Sequence, residues 1–273
     1  MSAAGVAETS SPTLAVRSVS VRFGGVLALD DVTFDARPGE VLGIMGPNGA
    51  GKTTLFNVIS GIQPPTWGEV VLGTRRITGL PVARVAAHGI ARTFQTPMMF
   101  WGLSVRESIV VALAAREFGH AYPPSPLAAL VPTLFGAAAR RRCDAALRER
   151  ADAILERGGL GLMGDRATES LAFGEERLLE LARALAVEPS VLLLDEPLSG
   201  LNPDEIADVV TSIRAARDRG IAVLLVEHAV GELLAVADRV VVLDHGRTIA
   251  AGEPREVALD PVVIDAYIGD ALE

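Results

Sequence analysis

The sequence predicts an α/β fold: a core built on a mixed β-sheet, into which a mostly helical subdomain is inserted. Short apolar runs rich in β-branched residues alternate with amphipathic segments of helical length, as in mixed α/β domains. One apolar run leads through a glycine-rich turn directly into a helical pattern. The strand pattern stops in the middle of the chain and returns later, and 273 residues are enough for a large core with an inserted lobe.

The first part of the core shows five short strand patterns. The first two are joined through a turn region at Gly24 and Gly25, and the third runs straight into the glycine-rich turn. The fourth run is followed by Gly73, as expected for a hairpin. We predict strands at Leu14–Val21, Val32–Asp35, Glu40–Met45, Glu69–Leu72 and Ile90–Phe94, and a helix at Gly51–Ser60.

The middle of the chain differs in composition from the core. From about residue 96 to residue 186 the strand patterns vanish, and alanine, leucine, arginine and glutamate dominate, which is typical of helices. We therefore predict a helical subdomain at residues 96–186, a core formed by residues 14–95 and 187–273, and a flexible tail at residues 1–13. The core resumes with strands predicted at Val191–Asp195, Ile221–Val226, Arg239–Leu243 and Arg247–Ala250.

The overall composition excludes several classes of protein. Hydrophobic residues make up 49% and charged residues 22%, which is typical of a globular protein and not of a disordered chain. The 25 basic and 34 acidic side chains give a net charge of −9, so the chain lacks the positive field that binds nucleic acid, and we expect no nucleic-acid partner. No uncharged apolar stretch approaches the ~18 residues of a membrane-spanning helix. The single cysteine, Cys143, cannot close an intramolecular disulfide, which favours a cytosolic compartment.

A phosphate-binding loop lies between the third predicted strand and the helix that follows it. Its glycines allow the backbone N–H groups to point inward, and the start of the helix adds a partial positive charge. Lys52 is expected at the β- and γ-phosphates of a nucleoside triphosphate, and the Thr53 hydroxyl at Mg²⁺. The pattern G-x-x-x-x-G-K-S/T is matched by Gly46, Pro47, Asn48, Gly49, Ala50, Gly51, Lys52 and Thr53, and we include Thr54 among the nucleotide-binding residues.

A pair of acidic residues follows the buried strand pattern at Val191–Asp195. In a parallel sheet, ligands gather outside the carboxyl ends of the strands. Asp195 is therefore expected to hold Mg²⁺, and Glu196 to orient or deprotonate an attacking water, a role that supplies about 10²–10⁴-fold in rate. Pro197 is expected to restrain Glu196 to an extended backbone. The alternative, two ordinary acids at a solvated strand end, is disfavoured by the phosphate loop earlier in the chain.

The order of these motifs resembles that of the ABC ATPases. Asp195-Glu196-Pro197 matches the family's Walker B motif, residues 199–202 match its D-loop, and His228 after a second apolar strand matches its switch histidine. The resemblance extends from Leu14 to the end of the chain. It implies a P-loop NTPase (ABC ATPase) core that binds ATP and Mg²⁺ and hydrolyses the ATP.

The resemblance also implies roles for further residues. Phe23 stands where the family stacks an aromatic ring on adenine, and Gln95 matches a glutamine that contacts Mg²⁺ and the attacking water and connects to the transmembrane partner. His228 matches the histidine that contacts the γ-phosphate, so the implied catalytic residues are Glu196, His228 and Lys52, and the implied metal ligands are Thr53, Gln95 and Asp195. Taken alone, Phe23 is also compatible with the core, Gln95 with a plain loop amide and His228 with a strand end.

The family's signature motif departs from its usual sequence here. Where the family has L-S-G-G-Q at the start of a helix, this chain has leucine followed by Ala172, Phe173, Gly174 and Glu175. In the family this motif contacts the ATP of the opposite subunit, which implies a head-to-tail pair with two bound ATPs. Ala172 lacks the serine hydroxyl and Glu175 replaces an amide by a carboxylate. The loss of one charge-assisted hydrogen bond would weaken the closed pair by about 1.5–3 kcal/mol.

Three further features resemble the branch that imports branched-chain amino acids. The first is the opening RFGGVLALDDVTF together with the segment GIARTFQ. The second is the C-terminal pattern at residues 260–269, where Asp260 and Pro261 are expected to begin a last helix. The third is the spacing of 79 residues from Gln95 to Gly174 (174 − 95), which accommodates the long helical insert of this branch. The branch implies a second ATPase subunit (a paralogue or an identical chain), transmembrane permease subunits and an external solute-binding protein. It also implies a peripheral position on the cytoplasmic face of the membrane.

Several alternatives remain open from the sequence. The cargo could be another small polar solute, such as urea, an amide or an aromatic acid, because the ATPase subunit does not contact it. The changed signature motif is compatible with a weakly hydrolysing regulatory subunit. ABC relatives that act on nucleic acids or ribosomes usually carry two cassettes or a long coiled coil, and this chain has neither. The apolar segment Leu127–Ala139 is compatible with packing against a membrane partner or inside the lobe.

Overall fold

The computed structural model describes residues 13–94, 98–118 and 136–270. The strands in these ranges are β1 (Leu14–Phe23), β2 (Val26–Ala36), β3 (Val41–Met45), β4 (Trp67–Leu72), β5 (Arg75–Arg76), β6 (Ile90–Arg92), β7 (Val191–Asp195), β8 (Ala222–Val226), β9 (Arg239–Asp244) and β10 (Arg247–Gly252). The α-helices are α1 (Lys52–Ile59), α2 (Val82–Ala87), α3 (Val105–Phe118), α4 (Gly136–Arg157), α5 (Phe173–Ala186), α6 (Pro203–Asp218), α7 (Val230–Val236), α8 (Pro254–Ala258) and α9 (Pro261–Asp270).

The strands form two sheets. The larger sheet has the order β10-β9-β3-β8-β7-β6, in which the neighbours are parallel except for the antiparallel pair β9 and β10. The smaller sheet is antiparallel, with the order β2-β1-β4-β5. The larger sheet is therefore mixed, and the predicted α/β class is confirmed.

Both faces of the larger sheet are buried, which explains its continuous apolar strands. Successive side chains of a strand point to opposite faces. Leu193 of β7 accordingly belongs to one core cluster, together with Phe56 of α1, whereas Leu192 and Leu194 belong to a second cluster on the other face. The same alternation holds for the other central strands, so the sheet is fixed between two layers.

A third hydrophobic cluster holds the helical segment together. The helices α3, α4 and α5 each contribute buried residues at helical spacing, such as Ile109 and Leu113 of α3 and Ala151 and Leu155 of α4. The division of the chain at residues 96 and 186 stays a prediction. Residues 119–135, which include most of the apolar segment Leu127–Ala139, lie outside the described ranges. None of the described helices is both long and apolar enough to cross a bilayer.

The predicted strands lie where expected, except that the second one was predicted too short. The structure gives Val26–Ala36, seven residues more than Val32–Asp35. Pairing with β1 continues across Asp30 and Asp31 because the register shift between Val19 and Val21 absorbs them, and Asp31 adopts a positive φ of 56°. Its N–H donates to the Ser20 hydroxyl at 2.9 Å. Asp30 and Asp31 therefore occupy a bulged part of a strand.

Candidate functional site

Three neighbouring strands bring the predicted site together at one edge of the larger sheet. The strands β3, β8 and β7 are adjacent and parallel, and the pairings Ile44 with Val226 and Asp195 with Val226 align their carboxyl ends. The phosphate loop leaves β3, the acid pair ends β7, and His228 follows β8. This is the edge where ligands bind in α/β sheets.

The phosphate loop requires glycine at two of its positions. Gly46 has φ 148°, and a Cβ there would lie 2.1 Å from the Leu243 carbonyl oxygen. Gly51 has φ 102°, and its Cβ would lie 2.7 Å from the Ala28 carbonyl oxygen. Gly51 also caps α1 and offers no side chain to the first N–H groups of the helix. Those groups, including that of the half-buried Thr54, are therefore available to donate to an anion at the loop.

Lys52 is the first residue of α1 and folds back over the loop. Its side chain is buried, and Nζ donates to the carbonyl oxygens of Gly46 at 2.6 Å and Pro47 at 2.8 Å. These two contacts fix the position of the ammonium group relative to the loop backbone. Thr53 follows it at the exposed start of the helix. The fixed ammonium group and the positive end of the helix dipole lie together, and both favour the binding of negatively charged phosphate groups.

Glu196 and His228 are in direct contact. His228 Nε2 lies 2.8 Å from Glu196 Oε1, and the Glu196 N–H donates to the Val226 carbonyl oxygen at 2.9 Å. The extended backbone predicted for Glu196 is wrong: its φ is 53°, in the left-handed region. The chain turns here because Ser199 N–H donates back to the Glu196 carbonyl oxygen at 3.4 Å. A non-glycine residue in this region costs about 1–3 kcal/mol, a strain that is common at functional sites.

Asp195 is held by an arginine that the sequence analysis missed. Arg92 Nη2 lies 3.0 Å from Asp195 Oδ2, and both side chains are buried. Arg92 also donates to Asn57 Oδ1 at 2.8 Å and to the Ser60 hydroxyl at 3.0 Å, which ties it to α1. The only sequence signal was a charged residue in a short apolar strand. A carboxylate so placed, together with the Thr53 hydroxyl, provides the hard oxygen ligands that fit Mg²⁺.

A second buried acid, Glu227, was also missed. It stands at the end of an apolar run, between β8 and His228, and its Oε1 accepts the Leu198 N–H at 2.6 Å. Burial raises the pKa of Glu227 to about 7, and the negative charges of Glu232 and Glu196 add to this effect. The N–H groups of Leu198 and His228 partly oppose it.

This raised pKa predicts a pH-dependent stability. A carboxyl whose pKa is higher in the folded chain stabilises the fold most at low pH, and that contribution is lost as the pH rises through about 7. Between the ordinary pKa of 4.5 and about 7 the loss amounts to about 3 kcal/mol. Glu227→Gln should remove this part of the pH dependence of the urea midpoint, whereas Glu149→Gln, on an exposed position of α4, should not. If the urea midpoint changed with pH to the same extent in Glu227→Gln as in the unchanged chain, the prediction would be contradicted.

Two further residues that the family resemblance assigns to the site are Phe23 and Gln95. Phe23 ends β1 and is 49% exposed, so it is not a core residue, and its ring is accessible to a planar ligand. Gln95 lies outside the described residues, directly after Phe94. Its assigned contacts with Mg²⁺, water and a transmembrane partner stay predictions.

The changed signature segment begins α5. Ala172 is the N-cap residue, and its N–H donates to Glu175 Oε2 at 2.8 Å, while Arg166 Nη1 donates to Glu175 Oε1 at 2.9 Å. Burial opposes ionisation, but these two donors outweigh it and lower the pKa of Glu175. The carboxylate that replaces the usual glutamine therefore caps its own helix. A Cβ on Gly174 would lie 2.5 Å from the Glu205 carboxylate, so no larger residue fits there without displacing it.

The amino-acid sequence is similar to those of ATP-binding subunits of transport systems. The sequence model of the family described as "ABC transporter" matches residues 29–199. The chain is 37% identical to the high-affinity branched-chain amino acid transport ATP-binding protein LivG of Salmonella typhimurium, over 96% of this chain and 100% of that protein. It is 36% identical to the high-affinity branched-chain amino acid transport ATP-binding protein BraF of Pseudomonas aeruginosa, over 96% of this chain and 100% of BraF. The lipopolysaccharide export system ATP-binding protein LptB of Escherichia coli K12 is 33% identical, over 94% of this chain and 98% of LptB.

Solved structures show the same architecture. The ADP conformation of an ATP-binding cassette of an ABC transporter superposes with a TM-score of 0.78 at 32% identity, covering 94% of this chain and 99% of that one. A nucleotide-free cassette gives the same TM-score at 31% identity, with the same coverage of both chains.

Proposed function

This chain belongs to the ABC transporter family, and from that membership we propose that it is the subunit whose ATP hydrolysis drives import of branched-chain or closely related amino acids. The ABC ATPase fold expected from the motifs is confirmed. The observation that carries the proposed mechanism is the 2.8 Å contact between His228 and Glu196 at the edge that also holds the phosphate loop.

The residues at this edge have separate roles in the proposed reaction. Lys52 and the N–H groups of the loop bind the phosphates, and Phe23 stacks on the adenine. Glu196 accepts the proton of the attacking water as the water oxygen bonds to the γ-phosphorus and ADP leaves. His228 holds the Glu196 carboxylate and contacts the γ-phosphate. Bound Mg²⁺ would offset the phosphate charge, and Thr53, Gln95 and Asp195 would hold it.

The cargo is assigned from the relatives. LivG and BraF, at 36–37% identity, are named for branched-chain amino acid transport, whereas LptB, at 33%, is named for lipopolysaccharide export. The direct test is to purify the permease that associates with this chain and to measure ATP-dependent leucine uptake in vesicles with its solute-binding protein. Uptake of urea, an amide or an aromatic acid in place of leucine would reassign the cargo. A loaded transporter without ATPase activity would indicate a regulatory subunit.

The partners follow from the same proposal. Pairing with a second ATPase subunit, paralogous or identical, would place Ala172, Phe173, Gly174 and Glu175 of this chain at the ATP held by that subunit's loop. The signature motif of the second subunit would in turn face the ATP held by this chain's loop, which completes two sites. Permease subunits would connect the pair to an external solute-binding protein, which places this chain peripherally at the cytoplasmic face of the membrane. Import also requires a surface on this chain that receives the permease.

A groove between α2, α3 and α5 is the surface we assign to the permease. It measures about 700 Å³ and is lined by exposed apolar side chains, including Phe94, Phe100 and Val111. In its wall the Arg183 guanidinium stacks over Phe100 at 4.7 Å, and its buried Nη1 has no hydrogen-bond partner among the described residues. The charge of Arg183 interacts with the Glu180 carboxylate, but the guanidinium nitrogen that lacks a hydrogen-bond partner favours an acceptor on the permease. The occupant we propose is a permease helix that offers an apolar face and a carboxylate or its C-terminal carbonyl groups.

The groove predicts a charge-dependent interaction. Arg183→Glu should abolish copurification of the chain with its permease, because a second carboxylate would face the acceptor, while Arg183→Lys should retain part of it. Arg157→Glu, at an exposed position of α4, serves as the matched charge reversal outside the groove. Melting temperatures identify any variant that has failed to fold. Undiminished copurification of a folded Arg183→Glu variant would exclude Arg183 from the interface.

A further inference from the structure

The C-terminal helix reaches the first residue of the phosphate loop. The Gly46 N–H donates to the Tyr267 hydroxyl oxygen at 2.9 Å, across 221 positions of sequence. The family motif assigns no role to Tyr267, which lies in the C-terminal pattern that served above only as a resemblance. We propose that Tyr267 is a positioning residue that sets the phosphate loop, and through it Lys52, for ATP binding. This inference rests on the proposed binding of ATP at the loop.

Gly46 joins the tyrosine to the lysine. Its N–H donates to the Tyr267 hydroxyl, and its carbonyl oxygen accepts Lys52 Nζ at 2.6 Å. Gly46 cannot be replaced by a larger residue, because a Cβ there would lie 2.1 Å from the Leu243 carbonyl oxygen. The N–H of this first loop residue is thus held by the C-terminal helix, and its carbonyl group by the lysine of the site.

The helix that carries Tyr267 is fixed by a capping hydrogen bond and by packing against the core. Asp260 Oδ1 accepts the Val262 N–H at 2.9 Å, which caps α9 as the sequence predicted. Val263 is buried in the core cluster that includes Met45, the last residue of β3, and the half-buried Tyr267 packs against the same cluster. The ring thus packs against the same core cluster as the strand that leads into the loop, and its hydroxyl reaches the first residue after that strand.

The hydroxyl is suited to a fixed structural contact. Burial raises the pKa of Tyr267, so the side chain stays protonated and neutral at physiological pH. A neutral oxygen accepts the Gly46 N–H without placing a negative charge beside the phosphate site. If the hydroxyl is removed, the Gly46 N–H loses this acceptor, and the loop has to move or admit water to satisfy it.

The test uses Tyr267→Phe, which removes the oxygen and keeps the ring. In the transporter with its partner subunits, KM for ATP should rise about 3- to 10-fold, the factor that corresponds to the loss of one neutral hydrogen bond. The kcat at saturating ATP should stay within about twofold of that of the unchanged transporter. Tyr267→Leu, which also removes the ring, should raise KM to a similar extent and in addition lower the melting temperature. Ile264→Ala, on an exposed position of α9, should change neither quantity.

The outcomes separate this inference from the proposed function. Equal KM values for Tyr267→Phe and the unchanged transporter would overturn the positioning role. A lower melting temperature with an unchanged KM would show that the contact serves only stability, and would overturn it as well. If the unchanged transporter does not bind ATP, the proposed function fails first, and the tyrosine variants have no ATP site to act on.

Discussion

Glu196→Gln is expected to reduce ATP turnover by about 10²–10⁴-fold, the range that a general base supplies. The amide keeps the shape of the side chain but does not accept a proton from water. Mg²⁺–ATP binding should persist, because Lys52 and the loop glycines are unchanged. We further propose that ATP binding closes the pair of ATPase subunits and that hydrolysis reopens it, so the variant should also accumulate as an ATP-bound dimer.

Two measurements check this expectation. The rate of phosphate release measures ATP turnover. Light scattering with and without ATP measures the molecular mass and so detects the ATP-bound dimer. Glu156→Gln, an exposed glutamate in α4, is the matched neutralisation and should hydrolyse normally. Turnover by Glu196→Gln at the normal rate would remove Glu196 from its role as the base and leave the 2.8 Å contact with His228 as a structural one.

Lys52→Ala is expected to lower the affinity for ATP by about 10- to 100-fold. A hydrogen bond to a charged group contributes about 1.5–3 kcal/mol, and about 1.4 kcal/mol corresponds to a factor of ten in affinity. The loop also loses the two contacts that the ammonium makes with the Gly46 and Pro47 carbonyl oxygens, so its conformation becomes less restricted.

Equilibrium dialysis with labelled ATP measures this loss. Lys52→Arg is the informative companion, because it keeps the positive charge but presents a planar fork in place of a compact ammonium group. Its affinity should fall between those of the alanine variant and the unchanged chain. If Lys52→Ala binds ATP as tightly as the unchanged chain, the loop is not the phosphate site.

The sequence predicted the parts of the site that are local in the chain. The glycines and Lys52 form one continuous motif, and Asp195 and His228 each follow an apolar strand. The rule that ligands bind at the carboxyl ends of parallel strands placed Asp195 near the loop without knowledge of the strand order, and the resemblance to the family added His228. The order β3-β8-β7 makes that rule sufficient, because the three strand ends are neighbours.

The contacts that the sequence did not reveal join distant residues or depend on backbone shape. Arg92 meets Asp195 across 103 positions, and Tyr267 meets Gly46 across 221, and in neither case does a local pattern mark the partner. The positive φ of Glu196 arises from hydrogen bonds to β8 and to the turn that follows, and these bonds outweigh the bias expected before a proline.

The binding of Mg²⁺–ATP to the purified chain tests the central claim most directly, and calorimetry measures it. The proposed site predicts about one ATP per chain, with an affinity that falls when Mg²⁺ is chelated and falls again in Lys52→Ala. A folded chain that takes up no ATP in the presence of Mg²⁺ would contradict the account, since every later step depends on that bound triphosphate.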